Sequence, residues 1–306
     1  MELMDYKVDV IIPTYRPNEK TVMLIQRLLK QVYPIHEIHV VDTETEVFPQ
    51  EMYNLSEKVR ITRIQEAEFD HGGTRRKAAE ESEADILVFM TQDALPIDVR
   101  LLSELLKPFE DERVGAVYAR QLADKTSDEI ERYTRNFNYP KESAVKSYED
   151  IEKIGIKTFF CSNVCAAYRK EVYDSLGGFE KKTIFNEDSI MAAKMIEAGY
   201  YIVYAANARV IHSHNYNCRQ QFKRNFDLAV SQAEHPEIFS KVSSENEGKR
   251  LVKETAKYLL KKGKPWLVFS LVTKSGAKYA GYLLGKNYKK LPKGLVLKFT
   301  SNKNYW

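Results

Sequence analysis

Three groups of polar residues in the first third of the chain could bind a ligand. Thr14 with Tyr15, then Asp42, and then Thr91-Gln92-Asp93 each follow an apolar run. Hydroxyl and carboxylate oxygens accept hydrogen bonds, and carboxylate oxygens are also the ligands that hard divalent cations prefer. These residue types therefore predict a pocket for a polar ligand.

Two further groups lie in the second half of the chain. Glu187 and Asp188 open a predicted helix, where a carboxylate serves either as a general base or as an ordinary helix cap. In the segment Ile211-His212-Ser213-His214-Asn215, alternate residues of an extended chain face the same side. The two histidines are thus expected to reach the same site.

The elements that must position these residues follow from hydrophobic periodicity. Strands are predicted at residues 8–15, 37–42, 59–64, 85–90 and 115–119, and helices at 20–31, 74–83 and 101–109. This alternation predicts an α/β fold with a mostly parallel sheet flanked by helices. Ligands of such sheets bind at the carboxyl ends of the strands, which is where the three polar groups lie. Residues 123–157 are polar without a clear period, which indicates an irregular surface excursion.

Four stretches together resemble the family 2 glycosyltransferases, which have the GT-A fold. They are Val10-Ile11-Ile12-Pro13-Thr14-Tyr15, Val40-Val41-Asp42, Thr91-Gln92-Asp93-Ala94, and Gly177-Gly178-Phe179 leading to Asn186-Glu187-Asp188. The resemblance extends over roughly residues 7–215. It implies a GT-A domain at 1–248, with a Rossmann-like nucleotide-sugar half at about 1–120 and an acceptor half at about 121–248. A basic amphipathic helical tail would follow at 249–306.

For the nucleotide-sugar donor, the resemblance implies a site built from the strand ends and the loop that follows the third strand. Asp42 would hydrogen-bond the nucleobase or ribose, and Tyr15 would stack on the base. Asp93 would hold Mg²⁺ or Mn²⁺, which neutralises the diphosphate as the sugar leaves. The implied donor-binding residues are Pro13, Thr14, Tyr15, Asp42, His71, Gly72, Gly73, Arg75, Thr91, Gln92 and Asp93.

One departure from the family pattern bears on the donor. The family has Asp-x-Asp where this chain has Thr91-Gln92-Asp93, so a hydroxyl replaces the first carboxylate. The string Thr-Gln-Asp-Ala looks like the variant in rhamnosyltransferases that use dTDP-L-rhamnose. The stretch from Phe69 to Arg75 resembles the same subgroup; its glycines would let the backbone approach a ligand, and Arg75 would pair with a phosphate.

On the acceptor side, the resemblance implies that Asp188 is the general base of an inverting transfer. It would take the proton of the acceptor hydroxyl as that oxygen attacks the anomeric carbon from behind. The implied acceptor contacts are Ser162, Asn163 and Glu187. In many enzymes of this fold a late histidine completes the metal or diphosphate shell, and His212 and His214 stand at that place.

The formal charge of +4 hides two opposed parts of the chain. Residues 249–306 carry 15 Lys or Arg and one acid, Glu254, whereas the first 248 residues carry 32 basic and 42 acidic residues. Basic residues interleaved with aromatic residues and leucine are typical of a helix on an anionic membrane. The alternative is a helical appendage packed on the body or on another subunit. The acidic body and the absence of a binding motif disfavour nucleic acid as a partner.

Several sequence features concern the location of the protein. No apolar run reaches the length of a membrane span, three cysteines are too few for a disulfide framework, and no signal peptide is recognisable. We therefore expect a cytoplasmic protein, peripherally associated with the inner face of the cell membrane.

The sequence thus predicts an inverting glycosyltransferase that moves L-rhamnose from dTDP-L-rhamnose onto a polysaccharide or lipid-linked oligosaccharide in cell-surface glycan synthesis. Two alternatives stay open. One is a family 2 enzyme that uses a UDP-hexose, which Thr91 disfavours. The other is a non-catalytic nucleotide-sugar-binding or scaffold protein, against which Asp93 and Asp188 argue. The linkage position and the oligomeric state, including a homo-oligomer, are left open.

Overall fold

A computed structural model of the chain describes residues 5–240 and 245–306. Backbone contacts divide the chain into two units. The first unit comprises the described residues of Met1–Leu122, Tyr139–Lys182 and Glu187–His212, and the second comprises those of Ala123–Asn138, Thr183–Asn186 and Ser213–Trp306. The second unit contains the predicted tail together with stretches that the sequence assigns to the body, and the domain boundary between 248 and 249 stays a prediction.

All strands of the described residues belong to the first unit, whereas the helices are shared between the two. The strands are β1 (Val8–Tyr15), β2 (Glu37–Thr43), β3 (Val59–Ile64), β4 (Ile86–Met90), β5 (Leu95–Pro96), β6 (Val114–Leu122), β7 (Ala144–Lys146), β8 (Cys165–Arg169) and β9 (Tyr201–Ile211). The helices are α1 (Glu19–Leu28), α2 (His71–Glu80), α3 (Leu101–Leu106), α4 (Glu129–Asn138), α5 (Ile151–Ile154), α6 (Lys170–Ser175), α7 (Glu187–Glu197), α8 (Cys218–Glu234), α9 (Pro236–Phe239), α10 (Glu245–Lys261), α11 (Trp266–Lys286) and α12 (Lys293–Phe299).

The strands of the first unit form one sheet in the order β3-β2-β1-β4-β8-β6-β9-β5, with β7 paired to β9. From β3 to β4 all neighbours are parallel, as the sequence predicts. Beyond β4 the sheet is mixed, because β8 runs antiparallel to β4 and β6, whereas β6 and β9 are parallel. The α/β class is confirmed, and the carboxyl ends of β1, β2 and β4 meet at one edge.

Burial explains why the strand sequences are almost continuously apolar. Every residue of β4 is buried, and so are the first five residues of β1. Helices α1 and α3 contribute Leu24, Ile25 and Leu105 to the same core. Because helices cover the sheet, both faces of these central strands exclude water, and an alternating polar pattern would leave side chains buried without partners.

The second unit is helical, and the predicted helical tail is confirmed. Helix α11 lies against α8 so closely that a Cβ atom at Gly281 or Gly285 would fall on the carbonyl oxygen of Phe222 or Phe226. Thr300 donates to Asp227 Oδ1 at 2.6 Å, which fixes the end of α12 to α8. No helix in residues 5–240 or 245–306 is both long enough and apolar enough to cross a bilayer.

The prediction that residues 123–157 are irregular is wrong. They contain α4, β7 and the short helix α5. Helix α4 is mainly polar and only Ile130 is buried, yet Ile130, Tyr133 and Phe137 recur at helical spacing along one face, so the sequence carries an amphipathic period that the prediction missed. Ile130 packs with Leu259 and Leu271 of the same unit. Strand β7, in contrast, is hidden in the sequence, because its main-chain pairing to β9 needs no side-chain pattern.

Candidate active site

Direct hydrogen bonds join the three polar groups at the carboxyl edge of the parallel strands. Thr14 stands opposite Asp42 in the β1–β2 register, and its hydroxyl donates to Asp42 Oδ1 at 2.7 Å. The Gln92 side chain binds the backbone of Tyr15 twice: Oε1 accepts from the Tyr15 N–H at 2.8 Å, and Nε2 donates to the Tyr15 carbonyl at 3.1 Å. The loop after β4 is therefore clamped to the end of β1, which also carries Pro13.

Asp42 is fully buried in this corner. Besides Thr14, Arg63 of β3 approaches it, with Nε 3.4 Å from Oδ2. Burial raises the pKa of Asp42, and the hydrogen bond from Thr14 and the charge of Arg63 offset this rise in part. A direct hydrogen bond from a ribose to Asp42 would require Arg63 to move. The Tyr15 ring, in contrast, is 43% exposed and is free to stack on a planar group.

Asp93 and His212 are brought together by the shortest strand of the sheet. Strand β5 begins two residues after Asp93 and pairs with the end of β9, with Leu95 opposite Ile211. His212 follows β9 directly, and its Nε2 atom lies 3.6 Å from Asp93 Oδ1. The pair consists of one imidazole nitrogen and one carboxylate oxygen from segments more than a hundred residues apart.

Gln121 at the end of β6 sets the orientation of the His212 ring. Its amide nitrogen donates to the hydroxyls of Tyr139 and Ser162 at 2.6 and 2.9 Å. The amide oxygen consequently faces His212 Nδ1, at 3.1 Å. A carbonyl oxygen can only accept, so Nδ1 carries a proton, and Nε2 is the ring nitrogen that faces Asp93.

This arrangement fits a divalent cation. Histidines that bind metals usually donate their second N–H to an oxygen that fixes the ring and the tautomer, as Gln121 does for His212. Asp93 is partly exposed and supplies a carboxylate oxygen, the ligand type that Mg²⁺ and Mn²⁺ favour. His214 follows two residues later, in the second unit, where its ring stacks on Tyr216 with centroids 4.9 Å apart.

Thr91 connects the turn that carries Asp93 with the residue that precedes β8. Its N–H donates to the Val164 carbonyl at 3.2 Å, and its carbonyl accepts from Ala94 N–H in a turn that carries Asp93. The Thr91 hydroxyl is buried and has no hydrogen-bond partner within the described part of the chain. The residue that replaces the first carboxylate of the family pattern therefore leaves a buried polar atom unsatisfied beside Asp93.

Asp188 lies in the first turn of α7 and is held by two backbone N–H groups. Asn163 donates to Oδ2 at 3.1 Å, and Ser189 donates to Oδ1 at 2.7 Å. Burial, followed by the negative charge of Glu187, raises the pKa of Asp188 to about 7, against the lowering effects of the two N–H groups and Arg75. The residue as a whole is half-buried. Such a group is suited to accept a proton near neutral pH.

Asn163 holds both carboxylates of this pair. Its backbone contacts Asp188, and its side-chain amide donates to Glu187 Oε1 at 3.2 Å. The Tyr168 hydroxyl donates to the amide oxygen at 2.8 Å, which fixes the amide orientation. Asn163 and Ser162 are themselves buried, and their polar side-chain atoms bind protein groups.

The stretch before and within α2 is placed by backbone packing. Asp70 caps the helix, and its side chain accepts from the N–H groups of Gly72 and Gly73 at 3.0 and 2.8 Å. A Cβ atom at Gly73 would lie 2.5 Å from the Lys181 carbonyl oxygen, so glycine is required there by the neighbouring chain. The ring of His71, the first residue of α2, meets the Phe69 ring edge-on.

Arg75 faces a protein carboxylate. Its Nη1 atom donates to the His71 carbonyl at 2.8 Å and lies 3.4 Å from Glu187 Oε1. Only 6% of Arg75 is exposed, and its Nε atom has no hydrogen-bond partner among the described residues. In this structure Arg75 therefore balances the charge of the Glu187–Asp188 pair.

Sequence reasoning missed Gln121, Arg63 and Tyr168. Gln121 stands near the carboxyl end of a strand, so the strand-end rule that identified Asp42 and Asp93 could have found it. The predicted strand ended at residue 119, however, which left Gln121 outside. Arg63 likewise stands near the carboxyl end of β3, whereas Tyr168 lies inside the buried strand β8, where a tyrosine gives no signal of its own.

Comparisons with known proteins identify the family of the chain. The profile of Glycosyl transferase family 2 matches residues 9–177. The chain is 41% identical to the O-antigen chain rhamnosyltransferase RfbN of Salmonella typhimurium, over 98% of this chain and 96% of that protein. It is 46% identical to the O-antigen chain rhamnosyltransferase WbaN of Salmonella anatum, over 79% and 78%.

Among solved structures, the fold resembles a mannosyltransferase from Pyrobaculum calidifontis in complex with GDP-Man and Mn²⁺. The TM-score is 0.56 at 19% identity, over 98% of this chain and 84% of that one. At this identity the likeness concerns the fold, which is that of the GT-A glycosyltransferases. The profile match and the two Salmonella relatives show that the chain belongs to glycosyl transferase family 2.

Proposed function

We propose that the protein is an inverting rhamnosyltransferase that transfers L-rhamnose from dTDP-L-rhamnose to a hydroxyl of a cell-surface glycan precursor. The observation that carries this proposal is the Glu187–Asp188 pair, in which two backbone N–H groups hold a carboxylate whose pKa burial raises to about 7. The relatives named as O-antigen chain rhamnosyltransferases support rhamnose as the sugar. The assignment of dTDP as the nucleotide of the donor rests on the sequence resemblance around Thr91-Gln92-Asp93.

In this proposal Asp188 removes the proton of the acceptor hydroxyl. Its two carboxylate oxygens are fixed by the N–H groups of Asn163 and Ser189, so the remaining lone pairs have a set direction. Glu187 keeps the pKa of Asp188 high by its charge, and Arg75 limits that effect. Asp188 thus changes protonation state near neutral pH, which a base must do to take the proton and release it afterwards.

On the donor side, Asp93 and His212 would hold Mg²⁺ or Mn²⁺, and His214 is the sequence-based candidate for a further ligand. When bound, the cation supplies positive charge to the diphosphate that leaves. Gln121 contributes by presenting the unprotonated nitrogen of His212. With only one carboxylate in the Thr91-Gln92-Asp93 stretch, we expect weaker metal binding than at a site with two.

The nucleoside would lie against Tyr15 at the end of β1. The exposed Tyr15 ring offers a stacking face, and the Arg16 guanidinium lies 5.2 Å from the ring centroid. Thr14 and Asp42 form the buried wall behind this face. Pro13, His71, Gly72, Gly73 and Gln92 stay predicted donor-site residues.

A donor screen with a matched inactive variant tests the proposal. Release of dTDP from dTDP-L-rhamnose and of UDP from UDP-glucose, UDP-galactose and UDP-GlcNAc is measured with Mn²⁺, with Mg²⁺ and with EDTA, in the presence of an acceptor glycan. We expect turnover with dTDP-L-rhamnose and its loss in Asp188→Asn. Turnover with UDP-sugars alone would refute the donor, and near-wild-type turnover of a folded Asp188→Asn variant would refute the base.

The basic C-terminal helices support peripheral binding to the inner face of the cell membrane. Helix α11 exposes Trp266 and Phe269, which are 66% and 77% exposed. We expect the protein to co-sediment with vesicles that contain phosphatidylglycerol, but not with phosphatidylcholine vesicles, and to be released by salt. Equal binding to both kinds of vesicle would contradict an electrostatic attachment.

A further inference from the structure

The second unit contains a cavity of about 840 Å³ that the proposed reaction does not use. Helices α4, α8, α10 and α11 line it, all within that unit. Aliphatic and aromatic side chains form much of the wall, among them Ile130, Leu251, Val252, Leu271 and Val272. Its volume is in the range of cavities that bind small molecules, and an apolar wall favours an apolar ligand.

The charges at this cavity are unbalanced. Four lysines and two carboxylates line it, which leaves a formal charge of +2. The carboxylates are already paired, since Lys274 donates to Asp128 at 2.9 Å and Arg135 donates to Glu131 at 2.7 Å. Among the residues that the structure describes, no further carboxylate lines the cavity, so its other lysines are available to solvent or to a bound anion.

Lys278 is the cation most suited to an anion in this cavity. It is half-buried and makes no hydrogen bond or ion pair within residues 5–240 and 245–306. Burial lowers the pKa of Lys278, as do the charges of Lys274, Arg224 and Arg135, whereas Glu131 raises it. A bound phosphate would replace lost hydration and relieve this repulsion.

The cavity is continuous with the exposed apolar stripe of α11. Val272 and Tyr279 line the cavity and are also 57% and 51% exposed. Trp266 and Phe269 precede them at helical spacing, and both are exposed. An aliphatic chain could therefore pass from this surface into the cavity without leaving apolar surroundings.

We propose that this cavity binds one aliphatic chain of a lipid phosphate, with Lys278 at the phosphate. The assignment of this lipid as the carrier end of a lipid-linked acceptor rests on the function proposed above. The apolar wall would contact the aliphatic chain of the lipid, and the unpaired positive charge would bind its phosphate. The exposed apolar stripe of α11 would let the lipid enter from a membrane. Lys249 and Lys253, also at the cavity, add positive charge.

Calorimetry on the full chain tests the site with three probes: inorganic phosphate, and farnesyl phosphate and farnesol at concentrations below those at which they aggregate. We expect farnesyl phosphate to bind at least about tenfold more tightly than either partial probe, because only it satisfies both features. Tight binding of inorganic phosphate alone would reduce the site to an anion site and overturn the proposal. A competition experiment in which phosphatidylglycerol displaces farnesyl phosphate as effectively as unlabelled farnesyl phosphate does would overturn the proposal in favour of a bilayer phospholipid.

Two substitutions locate the binding in the cavity. Gly276 lines it, and a Cβ atom there would meet nothing within 4 Å. Gly276→Phe fills the space and should weaken the binding of farnesyl phosphate at least about tenfold, whereas Gly276→Ala, which also replaces the glycine but adds only a methyl group, should not. Lys278→Gln should weaken farnesyl phosphate but not farnesol, and Lys289→Gln, in the same tail, should change neither.

Unchanged binding in both Gly276→Phe and Lys278→Gln would overturn the site. Rhamnosyl transfer by the wild-type protein to a water-soluble acceptor is measured separately. Transfer without lipid binding would refute only the lipid site. Lipid binding without any transfer would refute the proposed function and leave the site in place.

Discussion

The raised pKa of Asp188 makes the acid limb of the pH–activity profile a test of its role. If the carboxylate is the base, activity requires its ionised form, whose pKa is about 7. About one tenth of the molecules would be ionised at pH 6 and about one hundredth at pH 5, so activity should fall about tenfold per pH unit. An aspartate with its ordinary pKa would remain ionised over this range.

Two substitutions should shift this limb in opposite directions. Glu187→Gln removes a neighbouring negative charge, so the pKa of Asp188 should fall and the limb should move to lower pH. Arg75→Gln removes a positive charge from the same network, so the limb should move to higher pH. Glutamine keeps hydrogen-bonding capacity at both positions, which limits the change in packing.

The assay is kcat/KM for rhamnosyl transfer between about pH 5 and pH 9, which reports ionisation in the free enzyme. Asp188→Asn is the reference and should lose about 10²- to 10⁴-fold in rate at neutral pH, with its circular dichroism unchanged. The reasoning is refuted if the wild-type limb lies near pH 4, or if the two substitutions move it in the same direction.

Three further predictions concern the metal corner and stability. Gln121→Leu should weaken Mn²⁺ binding about 10- to 100-fold by calorimetry, because His212 loses the hydrogen bond that orients its ring. Tyr139→Phe should have a smaller effect, because Tyr139 acts on His212 through Gln121. Gly285→Ala should lower the free energy of unfolding by about 1–3 kcal/mol in urea because its Cβ meets the α8 backbone, whereas Gly276→Ala should raise it by up to about 1 kcal/mol. Asp188→Asn should raise the free energy of unfolding at pH 8 by on the order of 1 kcal/mol, because the folded state there contains a buried, ionised carboxylate whose pKa burial has raised. The gain should be smaller at pH 5, where Asp188 of the folded wild-type protein is protonated.

Local sequence determined the parallel half of the sheet and the edge that carries the donor-site candidates. Buried strands such as β1 and β4 must be apolar almost throughout, and a polar residue directly after such a strand marks its carboxyl end. That is why Thr14, Asp42 and Asp93 could be predicted to lie at one edge of the sheet. Asp188, which opens a helix, is reached only through the family resemblance.

Only the tertiary structure decided what each of these side chains contacts. Arg75 meets Glu187 and Gln121 orients His212 through contacts between residues about ninety or more positions apart, and no local periodicity encodes them. The pKa of Asp188 depends on burial and on charges from other segments. The cavity of the second unit likewise exists because α4 packs with the C-terminal helices, from which it is more than a hundred residues distant in the sequence. Sequence periodicity indicates which residues a single element buries. The pKa of a side chain, its orientation and the shape of a cavity arise only when distant elements pack together.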